Sequence, residues 1–385
     1  MKSAPIDWLV IIPVLALLAL AFVAPGRKPP NVRRVFLFWS IGILAFLGLR
    51  SVVPDEFLFG GSESVRRNRF QVRHLLSRKD WEKYPVLILE GSSVTQYGVD
   101  GIALETELRR LGCPATVLQF CAVGANHFER LHFLESFFAS LTKSQQEKLK
   151  ATRVILLSEV FDAYDENPLY LLERVADNER GIICLTPRNA WDGWRAWSVY
   201  AAEQTKLGCP APRPVAEILI RHVLFNRFGL GAFSSMRWPD SRRKLPAFFA
   251  MEGSKPKFNY EESRAGYLTN PHGKGFSLPL PFPQWNVSFD SMRRRLGSWV
   301  DEAGFFAFPT LETQRLAYQA AFARSLPGPA KMVGPASPDA MTRLLRPEYW
   351  YDGTHVTGPG AMTANEWLAG EITKKWPCDT PPSHE

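Results

Sequence analysis

An α/β domain with a parallel sheet, preceded by a pair of membrane-spanning helices, is the fold class this sequence predicts. Three observations carry it. Short apolar runs alternate with helix-spaced patterns from residue 85 onward, stop at 168, and resume from 288 to 376. Such alternation is the signature of strands laid parallel and joined by helices. Two longer apolar runs stand ahead of that block, at the N-terminus.

The first of these, Ile6 to Ala24, is uncharged apart from Asp7 and matches the roughly 20 residues that cross a bilayer. The second, Val35 to Leu49, is charge-free and extends to Val53 if the Arg50 side chain snorkels. A signal peptide competes for the first run, against a lone Lys2, Phe22 near the cut and Pro25 just after Ala24. A pair of core helices is the other alternative. Arg27, Lys28, Arg33 and Arg34 crowd the link between the runs, so the positive-inside rule puts that link in the cytoplasm and the body of the chain outside. Arg66, Arg67, Arg69, Arg73, Arg78 and Lys79 form a second basic stretch that pulls the other way.

The chain thus divides into a transmembrane hairpin (1–53), a polar, basic helical linker (54–84), a main domain (85–376) carrying an insertion (168–287), and a tail (377–385). In the main domain Val86 to Glu90 reads as the first strand. Gly101 to Leu111 follows as a helix, with Ile102, Leu104 and Leu108 at helical spacing. Ala115 to Ala122 is the second strand, His127 to Leu141 a helix, and Val154 to Leu157 the third strand. The insertion is rich in Trp, Pro, Phe and Arg, has helical pieces at Tyr170 to Ala176 and Val215 to Phe225, and shows no strand period. Long insertions of this kind form lids or binding walls; a separate small domain is the alternative. "SFDSMRRRLGSWVDEAG" then reads as a helix capped by Ser288 and stopped at Gly304. Phe305 to Leu311 is the fourth strand, Thr313 to Ser325 a helix, and Lys331 to Pro335 a short fifth strand. The last helix sets Ala361, Trp367, Leu368 and Ile372 on one face.

The formal net charge is +8. Further basic clusters at Arg242 to Lys244 and Arg293 to Arg295 are solvated faces, or else a surface for anionic lipid head groups or an acidic polymer. No nucleic-acid-binding motif accompanies the charge. The five cysteines show neither CxxC nor metal-ligand spacing, so no metal or cofactor is implied; Cys184 and Cys209 could pair in an oxidising compartment.

Chemistry concentrates at two short segments. "ILEGSSVTQYGVDG" (88–101) reads as strand, tight turn and helix, which sets Ser92 or Ser93 at the C-terminal mouth of the sheet, where open α/β folds bind ligands. A serine hydroxyl needs a base to take its proton, and that base needs an orienting carboxylate. Of seven histidines, His355 alone has a carboxylate three residues away in a glycine-containing turn, "DGTH" (352–355). Asp352 would fix the tautomer of His355 there. Alone, each segment has a plainer reading: a phosphate-binding turn or helix cap for the serines, a capping Asp beside an ordinary His for the other.

Together the two segments resemble the SGNH (GDSL-like) hydrolase superfamily. The resemblance implies a flavodoxin-like α/β/α fold, with the nucleophile in a Gly-Asp-Ser block after the first strand and Asp-x-x-His before the last helix. Gly91, Ser92 and Ser93 stand at the first block, so Ser93 matches the nucleophile and Ser92 replaces the usual Asp. Asp352 and His355 match the final block, continued by "TGPGA". "CAVGAN" after the second strand offers Gly124, whose N–H would join that of Ser93 in holding the oxyanion. The third block departs from the family. Where Gly-x-Asn-Asp is expected, Ser158 and Val160 occupy the Gly and Asn places, and Asn126 is the substitute donor.

The anchored architecture is similar to envelope proteins that transfer acyl groups beside membrane-bound O-acyltransferases. This implies an extracytoplasmic, membrane-tethered serine acyltransferase that O-acetylates an envelope or secreted polysaccharide. The same triad would serve an esterase or deacetylase, and the departed third block suits a non-catalytic polysaccharide-binding partner. Other residues carry plainer readings. Glu159, Asp162, Asp165 and Glu166 read as loop solvation at a strand end, His127 and His132 as helix residues without metal spacing, and Trp191, Trp194 and Trp197 as packing. Asn286-Val-Ser is a glycosylation pattern only in a host that glycosylates.

Overall fold

The strands are continuous apolar runs because both of their faces are covered. In a parallel sheet with helices on either side, alternation of polar and apolar residues disappears. In the computed structural model all six residues of β1 (Val86–Gly91) and of β3 (Val154–Glu159) are buried. The structure describes residues 63–78, 81–160 apart from 124 and 126, 250–275 apart from 256 and 257, 291–326 and 331–377, with position 41 and scattered positions between 188 and 206.

The domain is α/β: a five-stranded sheet in the order β2-β1-β3-β4-β5, with every neighbouring pair parallel. The remaining strands are β2 (Thr116–Cys121), β4 (Glu302–Phe306) and β5 (Lys331–Val333). Its helices are α1 (Glu63–Ser77), α2 (Ser93–Gly98), α3 (Gly101–Arg110), α4 (His127–Ser140), α5 (Lys143–Ala151), α6 (Tyr260–Thr269), α7 (Thr313–Ser325), α8 (Pro338–Thr342) and α9 (Gly358–Lys375). Residues of alternate parity in the strands feed two layers. Leu87, Leu89, Ile155 and Leu157 pack with Leu104, Leu108, Leu368 and Ile372 of α3 and α9. Val86, Ile88, Val154 and Leu156 pack with Leu75 of α1 and with Leu134, Phe137 and Phe138 of α4.

Helix α1 lies where the sequence suggested a linker. Leu75 is fully buried, and the Asn68 amide donates to the Phe133 carbonyl at 3.1 Å. The helix belongs to the domain because it covers the exposed edge of β2, whose outward N–H groups would otherwise be open to pairing with another strand. The Val117 N–H donates to Glu105 at 2.9 Å and the Gln119 N–H to Gln71 at 3.1 Å. His74 and Arg78 in turn hold Glu105. Gln71 thus sits beside the later half of β2 and His74 beside its start, so α1 runs antiparallel to the strand. Its first residue, Glu63, lies about 12 Å beyond Gln71 at 1.5 Å per residue, which carries the chain entering α1 to the C-terminal edge of the sheet.

The fourth strand also differs from the sequence reading. Residues 291–296 are helical, and Gly304 sits inside β4 rather than stopping that helix. The strand starts early because its first residues are anchored: Asp301 accepts the Val154 N–H at 2.7 Å and Glu302 binds Arg153 and Lys331. A Cβ at Gly304 would stand 2.7 Å from the Lys331 carbonyl and 2.8 Å from the Trp376 ring, so only glycine permits this packing. In the last helix Ala361, Leu368 and Ile372 are buried, whereas Trp367 is half-buried. Trp191, read as packing, is 63% exposed.

Both N-terminal apolar runs apart from Ile41, the acidic cluster at 162–166, Trp194, Trp197, the helical pieces at 170–176 and 215–225, and Cys184 and Cys209 lie outside the described residues. Among the described residues no helix is long and apolar enough to cross a membrane.

Candidate active site

The strand order reverses direction at β1, with β2 on one side and β3 on the other, and such a point opens a crevice at the carboxyl ends of the strands. β1 delivers Gly91, Ser92 and Ser93 to it. Ser92 is the N-cap of α2, its hydroxyl accepting the Val94 N–H at 3.3 Å. Ser93 is the first helical residue and half-buried. Its N–H has no acceptor among the described residues.

The opposite wall is the loop 350–357. It is closed at its base by an antiparallel bridge between Trp350 and Val356 and by the Tyr351 N–H donating to the His355 carbonyl at 2.8 Å. Within it Asp352 forms a turn of the kind Asp favours, a side-chain oxygen accepting backbone N–H groups further on. Oδ1 accepts from the Thr354 N–H at 2.9 Å, the Thr354 hydroxyl at 3.0 Å and the His355 N–H at 2.8 Å. The Gly353 carbonyl accepts from Leu311 N–H and the Thr310 hydroxyl, which fastens the loop to the segment leaving β4. On the far side Gly360 lets α9 begin hard against the loop, since a Cβ there would lie 2.2 Å from the Tyr349 carbonyl oxygen.

These two walls bring Ser93, His355 and Asp352 into one line. His355 Nε2 lies 2.9 Å from Ser93 Oγ, and Nδ1 lies 2.9 and 3.0 Å from the two oxygens of Asp352. With Nδ1 facing a carboxylate, the proton belongs on Nδ1, and Nε2 is left as the acceptor facing the hydroxyl. Burial disfavours the Asp352 anion, but the hydrogen bonds from His355 and Thr354 and the electrostatic pull of the His355 ring outweigh it. The carboxyl is held well below the usual carboxylate range. The Tyr97 ring stands edge-on to His355, 6.1 Å between centroids.

Behind the serine lies a residue that sequence reasoning assigned to loop solvation. Glu159, the last residue of β3, is 1% exposed. Its carboxylate accepts from the Ser92 N–H at 2.6 Å, the Ser92 hydroxyl at 2.9 Å and the Thr95 hydroxyl at 2.5 Å. The alternation of β3 explains why: Ile155 and Leu157 share one face, and Glu159 continues that face toward α2. Gly91 is glycine because of it, since a Cβ there would meet Thr95 Oγ1 at 2.2 Å and Glu159 Oε2 at 2.4 Å. The legible signal was the parity of Glu159 within an otherwise apolar strand.

On the other face of the sheet Glu90 is fully buried, 3.6 Å from Arg130 Nε of α4. Burial pushes its carboxyl up, and the Arg130 guanidinium offsets part of the rise. The same Nε donates to the Ala125 carbonyl at 3.1 Å, which ties the loop after β2 to this charge.

Gly124 and Asn126, the other oxyanion candidates, lie outside the described residues. Neither third-block residue offers a donor: the Ser158 hydroxyl faces Met292 Sδ at 3.8 Å, and Val160 packs with Phe305, Tyr318 and Met332. His132 is buried on α4 with its Nε2 3.3 Å from the Ser136 hydroxyl. Residues 251–255, inside the span read as an insertion, reach the loop 350–357 and the start of α9, with the Lys255 N–H donating to the Tyr351 carbonyl and the Gly358 N–H to that of Met251. Among the described residues no group of three His, Cys, Asp or Glu side chains could hold a metal ion. Comparison with family models, with curated proteins and with solved structures found no match.

Proposed function

We propose that this chain is a serine acyl-transfer enzyme of SGNH type, tethered to a membrane and acting on an envelope or secreted polysaccharide. The single observation that carries the catalytic part is the 2.9 Å approach of His355 Nε2 to Ser93 Oγ, across 262 positions of sequence. A base at that distance can accept the hydroxyl proton as the serine attacks. The strand order is that of flavodoxin-like folds, which accords with the SGNH resemblance of the two motif segments.

In the first half-reaction Ser93 Oγ bonds to the carbonyl carbon of the donor while its proton passes to His355 Nε2. Asp352 stabilises the imidazolium that forms. The negative oxygen takes the Ser93 N–H and, on the family pattern, that of Gly124. As the bond to the leaving group breaks, His355 returns its proton to that group. The acyl-serine then meets an acceptor hydroxyl, whose proton His355 takes and passes to Ser93 Oγ. With water in the acceptor's place the same groups perform ester hydrolysis. Ser158 and Val160 are engaged elsewhere, so the third-block donor is missing, a loss worth roughly 10²–10³ in rate.

The tether and the direction of α1 support transfer over hydrolysis. If residues 1–53 span the bilayer, the chain reaches α1 at the edge that holds Ser93. A tether entering there would keep the mouth near the membrane, where a membrane-bound O-acyltransferase would present the acyl group. Cys113 is disulfide-bonded, and such bonds persist in oxidising compartments, which suits an extracytoplasmic domain.

Turnover of p-nitrophenyl acetate by the full chain in detergent tests the catalytic part. Wild-type turnover that disappears in both Ser93→Ala and His355→Ala supports an acyl-serine mechanism. Equal rates in all three sink it and leave a polysaccharide-binding partner. Mass spectrometry of an oligosaccharide incubated with enzyme and an acyl donor then separates transfer, which adds acyl mass, from hydrolysis, which does not.

A further inference from the structure

We infer that Glu159 is the residue that positions the nucleophile, supplying from β3 the carboxylate that the turn at 91–95 lacks. This deepens the acyl-transfer reading above and rests on it.

Among the described residues Ser93 makes one polar side-chain contact, to His355. Its place therefore depends on the turn around it, where Ser92 just before it and Thr95 two residues after it are held by one group. Glu159 takes the N–H and the hydroxyl of Ser92 and the hydroxyl of Thr95. A carboxylate is the only side chain with room for several donors and no hydrogen of its own to clash with them. Bonds to an ionised acceptor are also shorter and stronger than neutral ones. By accepting the Ser92 N–H, Glu159 fixes the Gly91–Ser92 peptide and leaves the Ser93 N–H as the one free to meet an oxyanion.

The arrangement has a cost that a purely structural residue need not bear. A buried negative charge beside the nucleophile opposes the negative charge that develops on the substrate oxygen. Burial of Glu159 at 1% exposure with hydroxyl and N–H partners is tolerable because the donors neutralise its field locally. Ser92 completes the logic: as a serine it donates to Glu159 and simultaneously accepts from Val94 N–H. An Asp at 92 could cap the helix equally well but would set two carboxylates against each other.

That opposition gives the test. The variants are Glu159→Gln, Ser92→Asp and the double substitution, each measured in the full chain with p-nitrophenyl acetate. Glu159→Gln keeps the size of the side chain but places an amide NH₂ against three donors. A displacement of Ser93 by about 1 Å predicts a ~10²-fold lower kcat, with KM little changed because no substrate contact is lost. Ser92→Asp alone predicts a similar loss from the paired carboxylates. The double variant moves the carboxylate to the turn and lets the amide introduced on β3 donate to it, so kcat recovers at least ~10-fold over either single, a coupling that independent sites do not show. A Glu159→Gln enzyme with wild-type kcat overturns the inference, as does a double variant whose loss is the product of the single losses. If wild-type turnover is itself unaffected by Ser93→Ala, the acyl-transfer reading falls first. Wild-type turnover that depends on Ser93 but survives Glu159→Gln removes the role of Glu159 alone.

Discussion

The sheet has two ends, and acidic side chains stand at both. At the C-terminal edge Glu90 and Glu159 are 0% and 1% exposed. They are held by Arg130 on one face and by Ser92 and Thr95 on the other. At the N-terminal edge Glu302 is 29% exposed and binds Arg153 and Lys331, themselves 30% and 39% exposed. The second group is a surface ion-pair cluster, weak because water competes for every charge. In the first, burial opposes the charge of Glu90 beside Arg130, and Glu159 meets its charge with hydrogen bonds, an arrangement folding alone rarely favours over apolar packing. That costly arrangement lies next to Ser93. The difference teaches where this fold carries polar groups for a purpose other than stability.

The contrast is sharpest in the loop 350–357. Asp352→Asn keeps the size of the side chain and removes the charge. Its amide can then donate to Nδ1 of His355, which forces the proton to Nε2, the atom that must accept from Ser93 Oγ. By the reasoning that applies to serine triads, turnover should fall ~10⁴-fold, with a lower melting temperature as well, because the bonds that hold the carboxylate low lose their charge. Wild-type turnover in this variant would break the assignment of Asp352 as the orienting group.

Gly91→Ala probes the nucleophile turn and should act on both activity and stability. The new Cβ meets the Thr95 hydroxyl and the Glu159 carboxylate at distances no side chain tolerates. Overpacking of that kind costs about 1–3 kcal/mol, readable in urea unfolding, and turnover should drop with it because Ser93 follows within two residues. Unchanged stability would mean that the turn yields freely.

Acid titration compares the two ends directly. The Asp352 carboxyl is held low, against the effect of burial, by bonds from His355 and Thr354, and Glu302 is held low, against burial, by Lys331 and Arg153. A depressed folded-state pKa adds stability that is complete above the unfolded value, about 3.9–4.3 for these groups, and is lost as pH falls through the folded value. Stability of wild type should therefore fall more steeply below about pH 4 than that of Asp352→Asn, measured by urea unfolding at stepped pH. Equal slopes would deny the bonding drawn around Asp352.

Much of this was legible in the sequence, for identifiable reasons. The strands β1, β2 and β3 were readable because burial on both faces makes each start as an apolar run, and Asp352 with His355 because an Asx-type turn is a local motif. The start of β4 was not, because its first residues are charged and are held by Arg153, Lys331 and the Val154 N–H from neighbouring strands. The role of α1 was hidden by its polar composition: what it buries is the edge of β2, and it does so with Gln71 and with the His74 and Arg78 contacts to Glu105. Glu159 was misread because a glutamate after an apolar run looks like the beginning of a loop. Only the partners, Ser92 and Thr95, distant by more than 60 positions, reveal that the strand continues through it.

The smallest effect belongs to Glu302→Ala. Its carboxylate accepts from Arg153 Nε at 3.0 Å and from Lys331 Nζ at 2.8 Å, geometry as good as any at the catalytic edge. Yet all three side chains remain in contact with water, so the cations left behind are solvated rather than stranded. Exposed pairs of this sort contribute about 0–1 kcal/mol, and turnover should stay at the wild-type level because the cluster lies at the end of the sheet opposite Ser93. Raising the salt concentration screens what interaction there is, so the difference between variant and wild type should shrink at about 1 M salt. A loss well above that range, or any loss of turnover, would mean that the N-terminal edge is coupled to the site and that burial alone does not separate the two ends.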